Sequence, residues 1–142
     1  MTYRIREVDA TDEDIAEVLA ELHRLTFLDA APLPEFDNGH WWLGYKDSEP
    51  VSFAGLVQSD RTPTAGYFIR VGVTHGHRGH SLQQRHMRVL EARAKRNGWT
   101  HIVSDTTDNL PSANNFIRAG YWILAPESPW AFPHSIYWIK DL

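Results

Sequence analysis

The stretch Val73-Thr74-His75-Gly76-His77-Arg78-Gly79-His80-Ser81-Leu82-Gln83 constrains this chain more than any other. The run from Phe68 to Val73 predicts a strand, Arg78-Gly79 a tight turn, and Leu82 onward a helix. A helix that starts at a turn leaves its first backbone N–H groups without partners, and its dipole favours negative charge there. Arg78 would add a charged fork beside those donors. The stretch has two readings: a cradle for a phosphate-bearing ligand, or a plain turn with a solvated arginine. No Gly-Lys-Ser/Thr follows, so this is not a P-loop; G-x-G-x-x-G is absent, so it is not a dinucleotide fingerprint.

The rest of the sequence bounds what such a turn can serve. A chain of 142 residues suggests one domain, residues 1–142, with one core. No apolar run approaches the ~18 residues of a membrane span, and residues 1–7 lack the apolar core of a signal peptide. There is no cysteine, which excludes disulfides, cysteine–zinc sites and thiol nucleophiles. The expected compartment is the cytoplasm. Charge is uneven: residues 1–60 hold thirteen acids against four bases, while residues 70–96 hold seven bases against Glu91 alone. The basic centre coincides with the turn, and the acidic half would steer a cationic partner.

Periodicity predicts the elements around the turn. Tyr3 to Val8 alternates as a strand. Thr11 with Asp14 resembles a capping box, and Ile15, Val18, Leu19, Leu22 and Leu25 follow helical spacing over Asp12 to Thr26. Ala30 to Gly39 reads as a loop or short broken helix. Trp41 to Tyr45 and Val51 to Val57 read as a hairpin, and Ala65 to Val73 as the next strand. Leu82 to Asn97 is a helix closed by Gly98. His101 to Ser104 is a strand, Pro111 to Gly120 a helix, and Tyr121 to Leu124 and Ile136 to Ile139 the last strands.

That order resembles the GNAT N-acetyltransferase superfamily. The family motif at the turn reads roughly V-x-P-x-x-R-G-x-G-x-G/A. Val73 and Arg78-Gly79 match it, His75 stands for the proline, and Ser81 and Gln83 stand for the later glycines. A second family pattern, N-x-x-(A/S)-x-x-L-(Y/F)-x-x-x-G-(F/Y), is met in register by Asn109, Ser112, Phe116, Gly120 and Tyr121. The resemblance covers nearly the whole chain. It implies an α/β fold with a mixed sheet of about six to seven strands, splayed between strands four and five and flanked by about four helices. It further implies acetyl-CoA as cosubstrate, its pyrophosphate held at Arg78, Gly79, His80, Ser81, Leu82 and Gln83. The pantetheine arm would lie along Val71 and Val73, with Asn109, Ser112 and Phe116 beside it.

The implied reaction moves an acetyl group directly to a primary amine on a small molecule or protein. Such a reaction needs an uncharged amine, a polarised carbonyl and a proton for the leaving thiolate. Many family members supply that proton from a tyrosine where this chain has Phe116, which cannot donate. Asp105, His40 and Glu35 are candidate bases, with Asp37 and His134 behind them. A CoA-binding or interaction module with little catalysis is the alternative function. His75, His77, His80 and His86 invite a metal, but without cysteine or i, i+4 spacing none is expected. Most of the tryptophans read as core, and Trp130, in a proline-rich loop, as a wall of the substrate mouth. No nucleic-acid motif is present, no membrane partner is expected, and a homodimer is possible in principle.

Overall fold

The computed structural model describes residues 2–28 and 30–142. Seven strands form one sheet: β1 (Tyr3–Val8), β2 (His40–Lys46), β3 (Glu49–Gln58), β4 (Ala65–Val73), β5 (His101–Thr106), β6 (Trp122–Leu124) and β7 (Ile136–Asp141). The order across it is β1-β2-β3-β4-β5-β7-β6. Every neighbouring pair is antiparallel except β4 and β5. A parallel pair needs a long crossover, and α2 (Leu82–Arg96) supplies it. The other helices are α1 (Glu13–Phe27) and α3 (Leu110–Arg118), with a 3-10 turn at His75–His77. Three α-helices among the described residues replace the expected four, because 30–39 forms no helix. Pro32 and Pro34 deny it backbone donors, and Phe36 pins the loop edge-on against Trp41.

The sheet has two covered faces. On one, Leu19 and Leu22 of α1 pack with Trp41, Leu43 and Phe53. On the other, Met87, Leu90 and Ala94 of α2 and Ala113 and Phe116 of α3 pack with Trp42, Leu56, Phe68 and Trp138. Strand alternation sorts the residues: Trp41 and Leu43 point to α1, and Trp42 between them to α2. Truncating a core leucine such as Leu19, with 0 % exposure, to alanine would cost about 2–5 kcal/mol. Not every tryptophan joins the core: Trp122 on β6 is 76 % exposed.

Local chemistry moves the ends of two helices. The N-cap of α1 is Asp12, not Thr11; its carboxylate accepts from the backbone of Asp14 and Ile15. Thr11 instead donates to Asp9 through both its backbone and its hydroxyl, a local bond that competes with capping. Asn109 caps α3, accepting from the Ser112 amide.

Strand β4 is irregular at one point. Gly55 pairs with Arg70 and Leu56 with Phe68, so Ile69 is an extra residue in β4. Such a bulge bends its strand and re-aims side chains. Ile69 turns to the α1 face, and Arg70 after it also reaches α1 and the loop, through His23 and Pro32.

Candidate active site

Strands β4 and β5 pair only at Ala65–His101, Gly66–Ile102 and Tyr67–Val103. The bulge at Ile69 follows two residues later, and from there the strands part. Ser104 Oγ donates to the Phe68 carbonyl at 2.7 Å, satisfying the first backbone acceptor exposed by the split. The gap opens into a groove of about 1130 Å³ that runs from the turn before α2 to the loop after α1.

On the α2/α3 side, the groove begins at the turn. Gly79 has φ +84 and nothing within 4 Å of where a Cβ would stand, so conformation rather than space requires glycine. Ser81 is also left-handed, at φ 60, and its side chain makes no capping bond. Among the described residues no side chain caps the first amides of α2, which are left as donors beside the groove. Arg78 is exposed, its Nε 3.4 Å from the Val73 carbonyl. Gln83 turns away from the turn: Nε2 donates to Ser112 Oγ at 3.0 Å, and Oε1 accepts from Asn115 Nδ2 at 3.0 Å. Together with Gln84, which donates to the Asn115 carbonyl, it stitches α2 to α3.

Phe116 borders the groove but is 2 % exposed, stacked on Trp138 at 5.5 Å and edge-on to Tyr121 at 4.9 Å. It offers no proton. Tyr121 is in the core and buries a hydroxyl that has no partner among the described residues.

The α1 side is polar. Asp105 Oδ2 accepts from the Tyr67 hydroxyl at 2.6 Å and from Trp130 Nε1 at 2.8 Å. Tyr137, opposite Asp105 in the β5–β7 ladder, stands edge-on to Trp130 at 4.5 Å. Burial, then the Asp105 charge, pushes the Tyr67 phenol well above its usual pKa, so it stays a donor. Arg70 is held by three acceptors: its Nε donates to His23 Nε2, Nη1 to the Ile69 carbonyl and Nη2 to the Pro32 carbonyl. His23 is 2 % exposed. Burial first, and the neighbouring guanidinium second, push its pKa down. It is therefore a neutral acceptor with its proton on Nδ1.

Ten of the eleven residues expected around a cofactor line this one groove: Val71, Val73, Arg78, Gly79, Ser81, Leu82, Gln83, Asn109, Ser112 and Phe116. His80 does not line it; its ring sits 5.0 Å from Tyr3. Of the candidate bases, Asp105 lines the groove. His40 sits at the start of β2, 3.4 Å from Glu7 and 2.9 Å from Asn97 Nδ2. Glu35 and Asp37 are exposed in the 30–39 loop, and His134 pairs with Asp108 at 2.9 Å. The four central histidines do not converge. His86 is buried against Ser52, whereas His77 and His80 both lie against Tyr3, and no group of three or more metal-ligating side chains is found among the described residues.

Sequence reasoning missed Tyr67, Arg70 and His23. A charged residue within the otherwise uncharged run Ala65–Val73 was the available signal for Arg70. The bulge that aims it had none.

Several solved structures share this architecture over their whole length. A candidate acyl-CoA N-acyltransferase of Klebsiella pneumoniae has a TM-score of 0.76 at 24 % identity, covering 99 % of this chain and 97 % of its own. A Bacillus subtilis acetyltransferase in complex with CoA has a TM-score of 0.73 at 13 % identity, with 99 % of each chain covered. A chain of the NatC complex bound to Gag peptide and CoA has a TM-score of 0.77 at 12 % identity, covering 100 % of this chain and 99 % of its own. At these identities the likeness is one of fold. No curated protein matches the sequence. The acetyltransferase (GNAT) family, in contrast, matches residues 5–121, a span that takes in α1, the split strands, the turn, α2 and α3. The chain belongs to the GNAT acetyltransferase family.

Proposed function

We propose that this protein transfers an acetyl group from acetyl-CoA to a primary amine, directly, with both bound at the gap between β4 and β5. The observation that carries the reading is the groove itself: it joins an open helix N-terminus on one face of the sheet to an anchored carboxylate on the other. Acetyl-CoA would supply the acetyl group as a thioester. The residues fit it. The first amides of α2, the unobstructed Gly79 and the exposed Arg78 suit a pyrophosphate. Asn109 spends its Oδ1 on the cap of α3, which leaves its Nδ2 for the arm.

On the α1 side, Asp105 is fixed through Oδ2 by Tyr67 and Trp130, which leaves Oδ1 to take a proton from the approaching ammonium. A β4 amide in the split, near Val71 or Val73, polarises the carbonyl. The N–C bond forms as the C–S bond breaks. Asp105 passes that first proton to solvent and takes the second, which the nitrogen releases as the N–C bond forms; solvent protonates the thiolate, since Phe116 cannot. A second reading, a CoA-binding module with little catalysis, draws on Phe116 and on the tying of Gln83 to α3.

Thermal unfolding with ligands and free-thiol release with a panel of amines test both. Acetyl-CoA should raise Tm, and adenosine far less. Arg78→Ala should keep the fold and weaken acetyl-CoA binding about ten- to a hundredfold, the loss of one charge-assisted contact. Stabilisation without thiol release from any amine would select the binding module; no stabilisation at millimolar acetyl-CoA would reject both.

A further inference from the structure

Arg70 has no part in the proposed acetyl transfer, yet its placement is costly and specific. Burial presses its guanidinium toward the neutral form, while the phenol of Tyr67 and the Asp105 carboxylate nearby favour the charge. It stands in the same groove as Asp105. The bulge at Ile69 puts it there: with strict alternation from Phe68, Arg70 would also lie under α2 and α3. Of the five N–H groups of a guanidinium, three are spent on His23, Ile69 and Pro32, which hold its plane. Its face covers the Phe27 ring at 5.7 Å. Among the described residues, one N–H remains unpaired on each terminal nitrogen. Among the described residues, no carboxylate lies within ion-pair distance of it.

A rigid, half-buried fork with a free N–H on each terminal nitrogen suits a planar anion, bound bidentately. The pyrophosphate of the cosubstrate is a poor claimant, because Arg78 and the start of α2 serve the other face of the sheet. A polyamine is poorer still, since it would bring a like charge to Arg70. Asp105 nearby calls for the opposite charge. The two side chains together match a molecule with both.

We infer that the acceptor is a small amino acid, its carboxylate seated on Arg70 and its amine beside Asp105. This rests on the acetyl-transfer reading. His23 is a positioning residue that holds the Arg70 fork, and Trp130, which does not itself line the groove, holds Asp105 through its indole N–H.

The test is calorimetric binding to the CoA-saturated protein. The probes are the common L-amino acids, β-alanine and γ-aminobutyrate, each paired with its carboxamide. At least one acid should bind about ten- to a hundredfold more tightly than its amide. Arg70→Gln should abolish that preference. Arg70→Lys should keep only part of it, because an ammonium cannot match a carboxylate with two parallel bonds. The wild-type comparison needs no variant, so it stands even where Arg70→Gln folds poorly. No acid preferred over its amide, or a preference that survives in a folded Arg70→Gln, overturns the inference. Thiol release separates this from failure of the transfer reading. If amides and simple amines are acetylated as well as acids, transfer stands and the carboxylate site falls. If acids bind preferentially but no thiol appears, the site stands and transfer falls.

Discussion

Tyr121 shows how single residues divide between pattern and role. It closes the second motif, yet its ring is packed against Phe116 and its hydroxyl is buried without a partner among the described residues. Burial, and Glu91 after it, push its pKa well up, so it stays protonated. An unpaired buried hydroxyl costs free energy. Tyr121→Phe should therefore leave stability unchanged or raise it by about 1 kcal/mol. Urea unfolding checks this, and a loss of that size would mean the hydroxyl is bonded after all. Phe116 and Tyr121 were legible in the sequence because a motif fixes their spacing. Arg70 was not. Its direction depends on one extra residue in β4, and a bulge leaves no trace in an alternating strand.

At the scale of elements, the turn before α2 carries a measurable strain. Ser81 adopts φ 60 with no side-chain bond in return, where the family pattern has glycine. A left-handed non-glycine residue costs roughly 1 kcal/mol. Ser81→Gly should stabilise the protein by about 0.5–1 kcal/mol and leave acetyl-CoA binding equal or tighter, read by thermal unfolding with and without ligand. A weaker complex would show that the hydroxyl serves the phosphate. Strands and helices were readable to within a few residues, since burial of one face imposes its period on the sequence. Their caps were less so: Thr11 and Asp12 both satisfy the rule, and the competing bonds from Thr11 to Asp9 decided between them. The 30–39 loop was ambiguous because its anchor, Phe36 on Trp41, is a tertiary contact.

For the whole molecule, His86, which lies wholly inside between α2 and the sheet, makes stability sensitive to acid, and the buried His23 acts in the same direction. Its Nε2 meets Ser52 Oγ at 2.8 Å, and its Nδ1 has no partner among the described residues. Burial, with a lesser push from Arg85, drives its pKa down to about 3 from the usual 6.5. Between those values the unfolded chain binds a proton that the folded one refuses, so the His86 contribution to stability is full above about pH 6.5 and falls as the pH drops below it. The urea midpoint should decline from pH 7 to 4.5, and less steeply in Ser52→Ala/His86→Leu. Equal slopes would place the acid sensitivity elsewhere. The sheet order was largely expected, because the α2 crossover demands a parallel pair and hairpins do not. How little of that pair is bonded was not visible in the sequence, since strand length says nothing of register. As strand pairing, three residue pairs join the plate β1–β4 to the plate β5-β7-β6, beside the side-chain bonds Ser104–Phe68 and Tyr67–Asp105. Mechanically the sheet is two panels on a short hinge at Ala65–Tyr67. The far ends of the panels are spaced by α2 and α3, not by strand pairing. The Gln83–Ser112–Asn115 stitch then ties α2 to α3 where no strand pairing joins the plates.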